Sequence, residues 1–123
     1  MNTMKKILIA EDDQYISSAY KMKLAKENFE IELAYDGEET IAKAVSFSPD
    51  LILLDLIMPK KDGFETLKEL KNNPKLQHIP VIVSSNLGQK EDKDKALALG
   101  ALDYFVKSDI SLADLLEKIK KSL

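Results

Sequence analysis

The chain has no cysteine, no tryptophan and no arginine, and a single histidine, His78, among its 123 residues. Without cysteine there is no disulfide framework, no thiol nucleophile and no thiolate zinc site. One histidine cannot build a His-rich metal centre or a Ser-His-Asp triad, and His78, just ahead of Ile79-Pro80, is expected in a loop. The missing arginine removes the planar fork that reads phosphate or guanine through paired hydrogen bonds. With a net charge of -3 and no basic stripe, nucleic-acid binding is not expected. Long apolar runs are lacking too: none approaches the ~20 residues of a membrane helix. Ile7-Leu8-Ile9-Ala10 is too short for a signal-peptide core. The expectation is a cytoplasmic protein with no membrane contact, folded as one domain over residues 1–123.

What the chain does contain is short apolar runs alternating with helical periodicities. Lys5 to Ala10, Glu30 to Ala34, Leu51 to Leu54, Pro80 to Ser84 and Leu102 to Val106 read as five strands. Ile16, Ala19, Tyr20 and Leu24 recur at helical spacing after the first. Ile41, Ala44 and Val45 give a second helix its apolar face, with Asp36 and Glu39 set as a capping box and Ser48-Pro49 as a stop. Phe64, Leu67 and Leu70 mark a third helix, ended by Asn72-Asn73-Pro74. Lys90 to Leu99 is a charged fourth helix with Ala96, Leu97 and Leu99 as its apolar content and Gly100 at C′. Leu112, Leu115, Leu116, Ile119 and Leu123 draw the cleanest amphipathic helix of the chain. Five strands alternating with five helices predict an α/β domain with right-handed crossovers and a parallel sheet covered on both faces.

The strand ends carry the chemistry. Leu51-Ile52-Leu53-Leu54 runs straight into Asp55, and a charge closing a buried strand is costly unless a cation, a hydrogen bond or solvent meets it. The first strand ends in Glu11-Asp12-Asp13, the fourth in Ser84-Ser85 and the fifth in Lys107. In a parallel sheet these ends share one edge, where open α/β folds bind ligands. Taken singly, each residue also suits a helix cap, a turn or a solvated surface. Taken together they suit phosphoryl chemistry. Carboxylates prefer a hard cation such as magnesium, a carboxylate can attack phosphorus, and an ammonium and a hydroxyl can neutralise phosphoryl oxygens. Asp12, Asp55, Ser85 and Lys107 supply those parts.

Over essentially its whole length the sequence resembles the receiver domains of two-component response regulators. The resemblance rests on Ile7-Leu8-Ile9-Ala10-Glu11-Asp12-Asp13, on Asp50 to Pro59, on Asp62-Gly63, on Pro80 to Ser85 and on Gly100 to Lys107. It implies a flavodoxin-like, doubly wound five-stranded parallel sheet in the order 2-1-3-4-5. It also implies that Asp55 is the phosphoacceptor, that Asp12 and Asp55 hold Mg2+ with the backbone carbonyl of Ile57, and that Glu11 acts through water. Lys107 matches the lysine that pairs with the phosphoryl group. Ser85, favoured over Ser84 by family spacing, and Tyr104 match the switch pair. The implied donor is a histidine kinase or histidine phosphotransferase, and the implied output is a separate, unnamed protein. The alpha-helix bearing Tyr15, Ile16, Tyr20 and Met22 and the loop after the fifth strand match the family's kinase-docking region, and the face made by the fourth helix, fifth strand and last helix matches its output surface.

Three positions depart from the family pattern. Ser108 follows Lys107 where a proline after a cis bond is usual; a non-proline cis bond costs ~2.5–4 kcal/mol, and the sequence leaves cis or trans open. Asn86 stands where a small residue is usual. Ile57 and Leu87 replace polar residues, which predicts slow loss of phosphate because apolar side chains cannot orient an attacking water. Ile57 also argues against a turnover phosphatase, which needs a second Asp at that position. Glu11-Asp12-Asp13 disfavours a flavodoxin-like cofactor loop. A phosphorylation-independent pseudo-receiver is the alternative reading. The expectation is a free-standing receiver with no output domain after Leu123, monomeric or dimerising on phosphorylation.

Overall fold

A computed structural model describes residues 4–123 of the chain. The elements run β1 (Lys6–Ala10), α1 (Gln14–Ala25), β2 (Glu30–Ala34), α2 (Gly37–Phe47), β3 (Leu51–Leu54), α3 (Gly63–Asn72), β4 (Val81–Ser85), α4 (Lys90–Ala98), β5 (Asp103–Val106) and α5 (Leu112–Ser122). The strands form one parallel sheet in the order β2-β1-β3-β4-β5, as expected.

Burial follows position in the sheet. Every residue of β3 and β4 is buried, because these inner strands have helices on both faces. The edge strand β2 is only partly covered. Side-chain alternation sorts the apolar residues into two cores. Leu8, Ala10, Ile52, Leu54, Val81, Val83 and Tyr104 pack with Ala44 of α2, Leu67 and Leu70 of α3 and Ala96 of α4. On the other face Ile7, Ile9, Leu51, Leu53, Ile82 and Phe105 pack with Tyr20 and Leu24 of α1 and Leu115, Leu116 and Ile119 of α5. The helices start at the edge where the strands end. Asp13, Asp62 and Ser111 each cap one there by accepting from backbone N–H groups.

Several expectations are corrected. Ala19 and Val45 are exposed, not core. The buried stripe of α1 is Ser17, Tyr20 and Leu24, and that of α2 is Gly37, Thr40 and Ala44. One step of about 100° turns Val45 away from the line of Ala44. Leu97, Leu102, Leu112 and Leu123 are also exposed; among the residues of α4 only Ala96 is buried. Pro80 has no N–H to join a ladder, so β4 begins at Val81 and extends through Ser85, which pairs with Val106. Leu99 caps α4, and Gly100 follows at φ 110°, the left-handed conformation expected of a C′ glycine. The Asp36 carboxylate accepts from Glu39 N (2.7 Å), but Glu39 answers to Tyr35 N (2.6 Å) rather than to the cap residue. His78 lies in the α3–β4 loop, as predicted.

Candidate functional site

The backbone ladder carries two carboxylates just past the strand ends. Glu11 N donates to Ala34 O and Asp55 N to Ala10 O, each at 2.9 Å, so both residues are fixed as though one step further along β1 and β3. Glu11 is 2% and Asp55 6% exposed, while Asp12 beside them is exposed. Two buried carboxylates side by side require a cation. Lys107, at the end of β5, supplies it: its ammonium hydrogen-bonds Glu11 Oε1 and lies 3.3 Å from Asp55 Oδ2. Glu11 Oε2 also accepts from Asp13 N at 3.2 Å, and Asp55 Oδ1 from Ile57 N at 3.4 Å.

The electrostatics follow from burial. Desolvation pushes the Glu11 carboxyl up to about 7; the Lys107 hydrogen bond works against this and the Asp55 charge adds to it. Burial pulls Lys107 down, yet its bond to Glu11 and the charge of Asp55 outweigh that, and it ends above its ordinary value. Three carboxylates and one ammonium leave the site net negative. Glu11, Asp12 and Asp55 can each bring one oxygen within 4.8 Å of the others. Hard oxygen donors so grouped fit a divalent cation of the magnesium type. They open into a cleft of about 200 Å³ lined also by Asp13, Ile16, Ile57, Asn86 and Lys107.

Glu11, Asp12, Asp55, Ile57 and Lys107 are thus brought together, but Ser85 and Tyr104 do not line this cleft. Both are buried on the face of the sheet covered by α2, α3 and α4. They meet at the peptide of Leu87: Ser85 Oγ accepts from Leu87 N at 3.2 Å, and the Tyr104 hydroxyl donates to Leu87 O. Leu87, singled out in the sequence only for its apolar side chain, therefore clamps the two residues through its backbone. Burial and the Asp92 charge raise the Tyr104 phenol. The Lys107–Ser108 bond is trans, as are all peptide bonds among the described residues, and Lys107 opens a short 3-10 turn ending at Asp109.

Ser84 is the serine that family spacing disfavours for the switch. Its hydroxyl is buried, and it is the one side-chain polar atom among the described residues that is buried without a hydrogen-bond partner. Such a group costs ~1–3 kcal/mol.

A family model described as the response regulator receiver domain matches residues 7–120. The chain is 37% identical to response regulator ArlR of Staphylococcus saprophyticus, over 98% of this chain and 53% of that protein. It is 42% identical to the transcriptional regulatory protein CpxR of Klebsiella pneumoniae, over 85% and 43%. The chain thus spans about half the length of these curated relatives. Among solved structures, chemotaxis protein CheY4 of Vibrio cholerae superposes with a TM-score of 0.91 at 29% identity, over 98% and 100% of the two chains. The BeF3-activated receiver domain of Klebsiella pneumoniae RstA gives 0.89 at 25%, over 96% and 97%. No helix among the described residues is long and apolar enough to cross a membrane. By its residues, its sheet order and these matches, the chain belongs to the family of two-component response regulator receiver domains.

Proposed function

We propose that Asp55 accepts a phosphoryl group from the phosphohistidine of a histidine kinase or histidine phosphotransferase, and that the phosphorylated site signals through Ser85 and Tyr104. The observation that carries this reading is a buried Asp55 carboxylate held 3.3 Å from the Lys107 ammonium, with Glu11 and Asp12 oxygens at cation-sharing distance. An Asp55 oxygen attacks phosphorus, the P–N bond to imidazole breaks as the P–O bond forms, and the imidazole nitrogen leaves with the electron pair and takes up a proton. Lys107 neutralises charge on the phosphoryl oxygens. Asp12, Asp55 and the Ile57 carbonyl would hold magnesium directly and Glu11 through water, and the ion, when bound, supplies positive charge to those oxygens.

Readout runs through the Leu87 peptide. A phosphoryl group that draws in the Ser85 hydroxyl changes the partner of Leu87 N, and the Tyr104–Leu87 bond passes that change to the loop before α4. Ile57 lies open at the cleft and offers no acid to protonate or orient water, which supports a stable phosphoprotein rather than a turnover enzyme. The output partner is a protein that reads the α4–β5–α5 face.

Incubation with phosphoramidate and magnesium tests the reading by intact-mass measurement. A lasting gain of one phosphoryl group, absent when magnesium is chelated, is expected. Continuous phosphate release would identify a phosphatase, and an unchanged mass would identify a pseudo-receiver.

A further inference from the structure

The unpartnered Ser84 hydroxyl lies beside the site described above. Ser84 pairs in register with Phe105 and follows Ile82 on the face covered by α1 and α5. The alternation of Ile9 and Leu53, carried on by the ladder bonds of Glu11 and Asp55, puts those two carboxylates on the same face. With Leu54 opposite Val83, the next residues across the sheet are Asp55 and Ser84. A row Glu11–Asp55–Ser84–Phe105 therefore crosses β1, β3, β4 and β5 beneath the cleft. Ser85, on the opposite face, is already bonded to Leu87 N.

Lys107 directly follows β5 and its ammonium reaches Glu11, just past the end of β1, so its side chain extends over the ends of β4 and β3. Its ammonium carries three N–H donors, and among the described residues only Glu11 and Asp55 engage them. A phosphoryl group on Asp55 brings new negative charge to β3, one strand nearer to β5 than Glu11 is. An ammonium drawn to that charge retreats from Glu11 toward β4. On that face of β4 the buried hydroxyl without a partner is Ser84 Oγ.

We propose that Ser84 is a positioning residue: its hydroxyl accepts a hydrogen bond from the Lys107 ammonium when that ammonium exchanges Glu11 for a phosphoryl group on Asp55. The orphaned hydroxyl thereby becomes a feature of the free protein alone. The inference rests on the phosphoacceptor reading, because it needs a phosphoryl group at Asp55.

The test compares the wild type with Ser84→Ala, Lys107→Met and the double variant. The dissociation constant for beryllofluoride with magnesium, a phosphoryl mimic, is measured for each, together with the denaturant stability of each free protein. Expected are a Ser84→Ala protein at least as stable as wild type when free, beryllofluoride binding weakened about tenfold, and no further weakening by Ser84→Ala in the Lys107→Met background. Binding within about twofold of wild type overturns the inference, as does an equal loss in both backgrounds, which would mark a structural effect. Lower free-state stability overturns it as well, since the hydroxyl would then have a partner without the phosphoryl group. A wild type that binds no beryllofluoride refutes the phosphoacceptor reading and this inference together.

Discussion

Replacing Gly63 by alanine measures how tightly the backbone around Asp55 is built. Gly63 is the first residue of α3, and its N–H donates to Leu56 O at 2.8 Å, folding the chain back onto the end of β3. A Cβ at Gly63 would stand 2.3 Å from Leu56 Cα and 2.4 Å from Asp55 O. Both are backbone atoms that cannot rotate away. Relief needs a displacement of about 1 Å in the segment that carries the phosphoacceptor, and overpacking of this kind costs ~1–3 kcal/mol. The opposing gain, alanine over glycine in a helix, is at most ~1 kcal/mol and smaller at a helix end. The net expectation is a loss of roughly 1–2 kcal/mol, read by urea denaturation, with slower phosphorylation of Asp55. Gly88 is the control: a Cβ there meets only Val106 Cγ2 at 3.8 Å, so Gly88→Ala should change stability by no more than ~0.5 kcal/mol or raise it slightly. A Gly63→Ala protein as stable as wild type would refute the steric argument.

Glu11, with its folded value raised from 4.5 to about 7, contributes stability that is fully present below 4.5 and lost as pH rises through about 7. Chelator-treated wild type should therefore lose stability across that window, and Glu11→Gln should flatten this segment of the pH–stability curve; parallel curves would contradict the burial argument. Ile57→Asn places a water-orienting amide at the open side of the cleft and should shorten the aspartyl-phosphate lifetime severalfold in a phosphate-release assay, whereas wild type should hold its phosphate for much longer than seconds. Lys71 Nζ donates to Ile79 O (2.6 Å) and Gln77 O (3.2 Å), and burial lowers its value. Lys71→Met keeps the stem but orphans those carbonyls, with an expected loss of ~1–3 kcal/mol by urea denaturation; an unchanged midpoint would show that water replaces the ammonium there.

The sequence carried most of this architecture for identifiable reasons. Leu51 to Leu54 could be read because a strand buried on both faces favours an unbroken apolar run, so the carboxylate that follows stands out. The end residues converge because parallel strands end at one edge, which needs no side-chain detail. Less legible was which side of an element faces inward. Val45 and Ala19 are apolar, and only the packing of α2 and α1 against the sheet shows that the lines through Ala44 and Tyr20 are the buried ones. Adjacent serines posed the same problem. Ser85 and Ser84 fall on opposite faces of β4, and their different surroundings, one hydroxyl bonded and the other without a partner, appear only once Val83 and Ile82 are assigned to separate cores. The Leu87 clamp was invisible because it is made by a peptide group, which every residue type carries. The Glu11–Lys107 bond spans 96 positions of sequence and depends on side-chain reach across the sheet edge, which no local pattern encodes.

The central claim is that the buried Asp55 carboxylate, paired with Lys107, is the group that accepts phosphate. Borohydride reduction after treatment with phosphoramidate and magnesium converts an aspartyl phosphate to homoserine, and peptide sequencing locates it. The account predicts homoserine at position 55 alone and none in Asp55→Asn. Modification at Asp12 or elsewhere in the wild type, or a protein that takes up no phosphate at all, would contradict it.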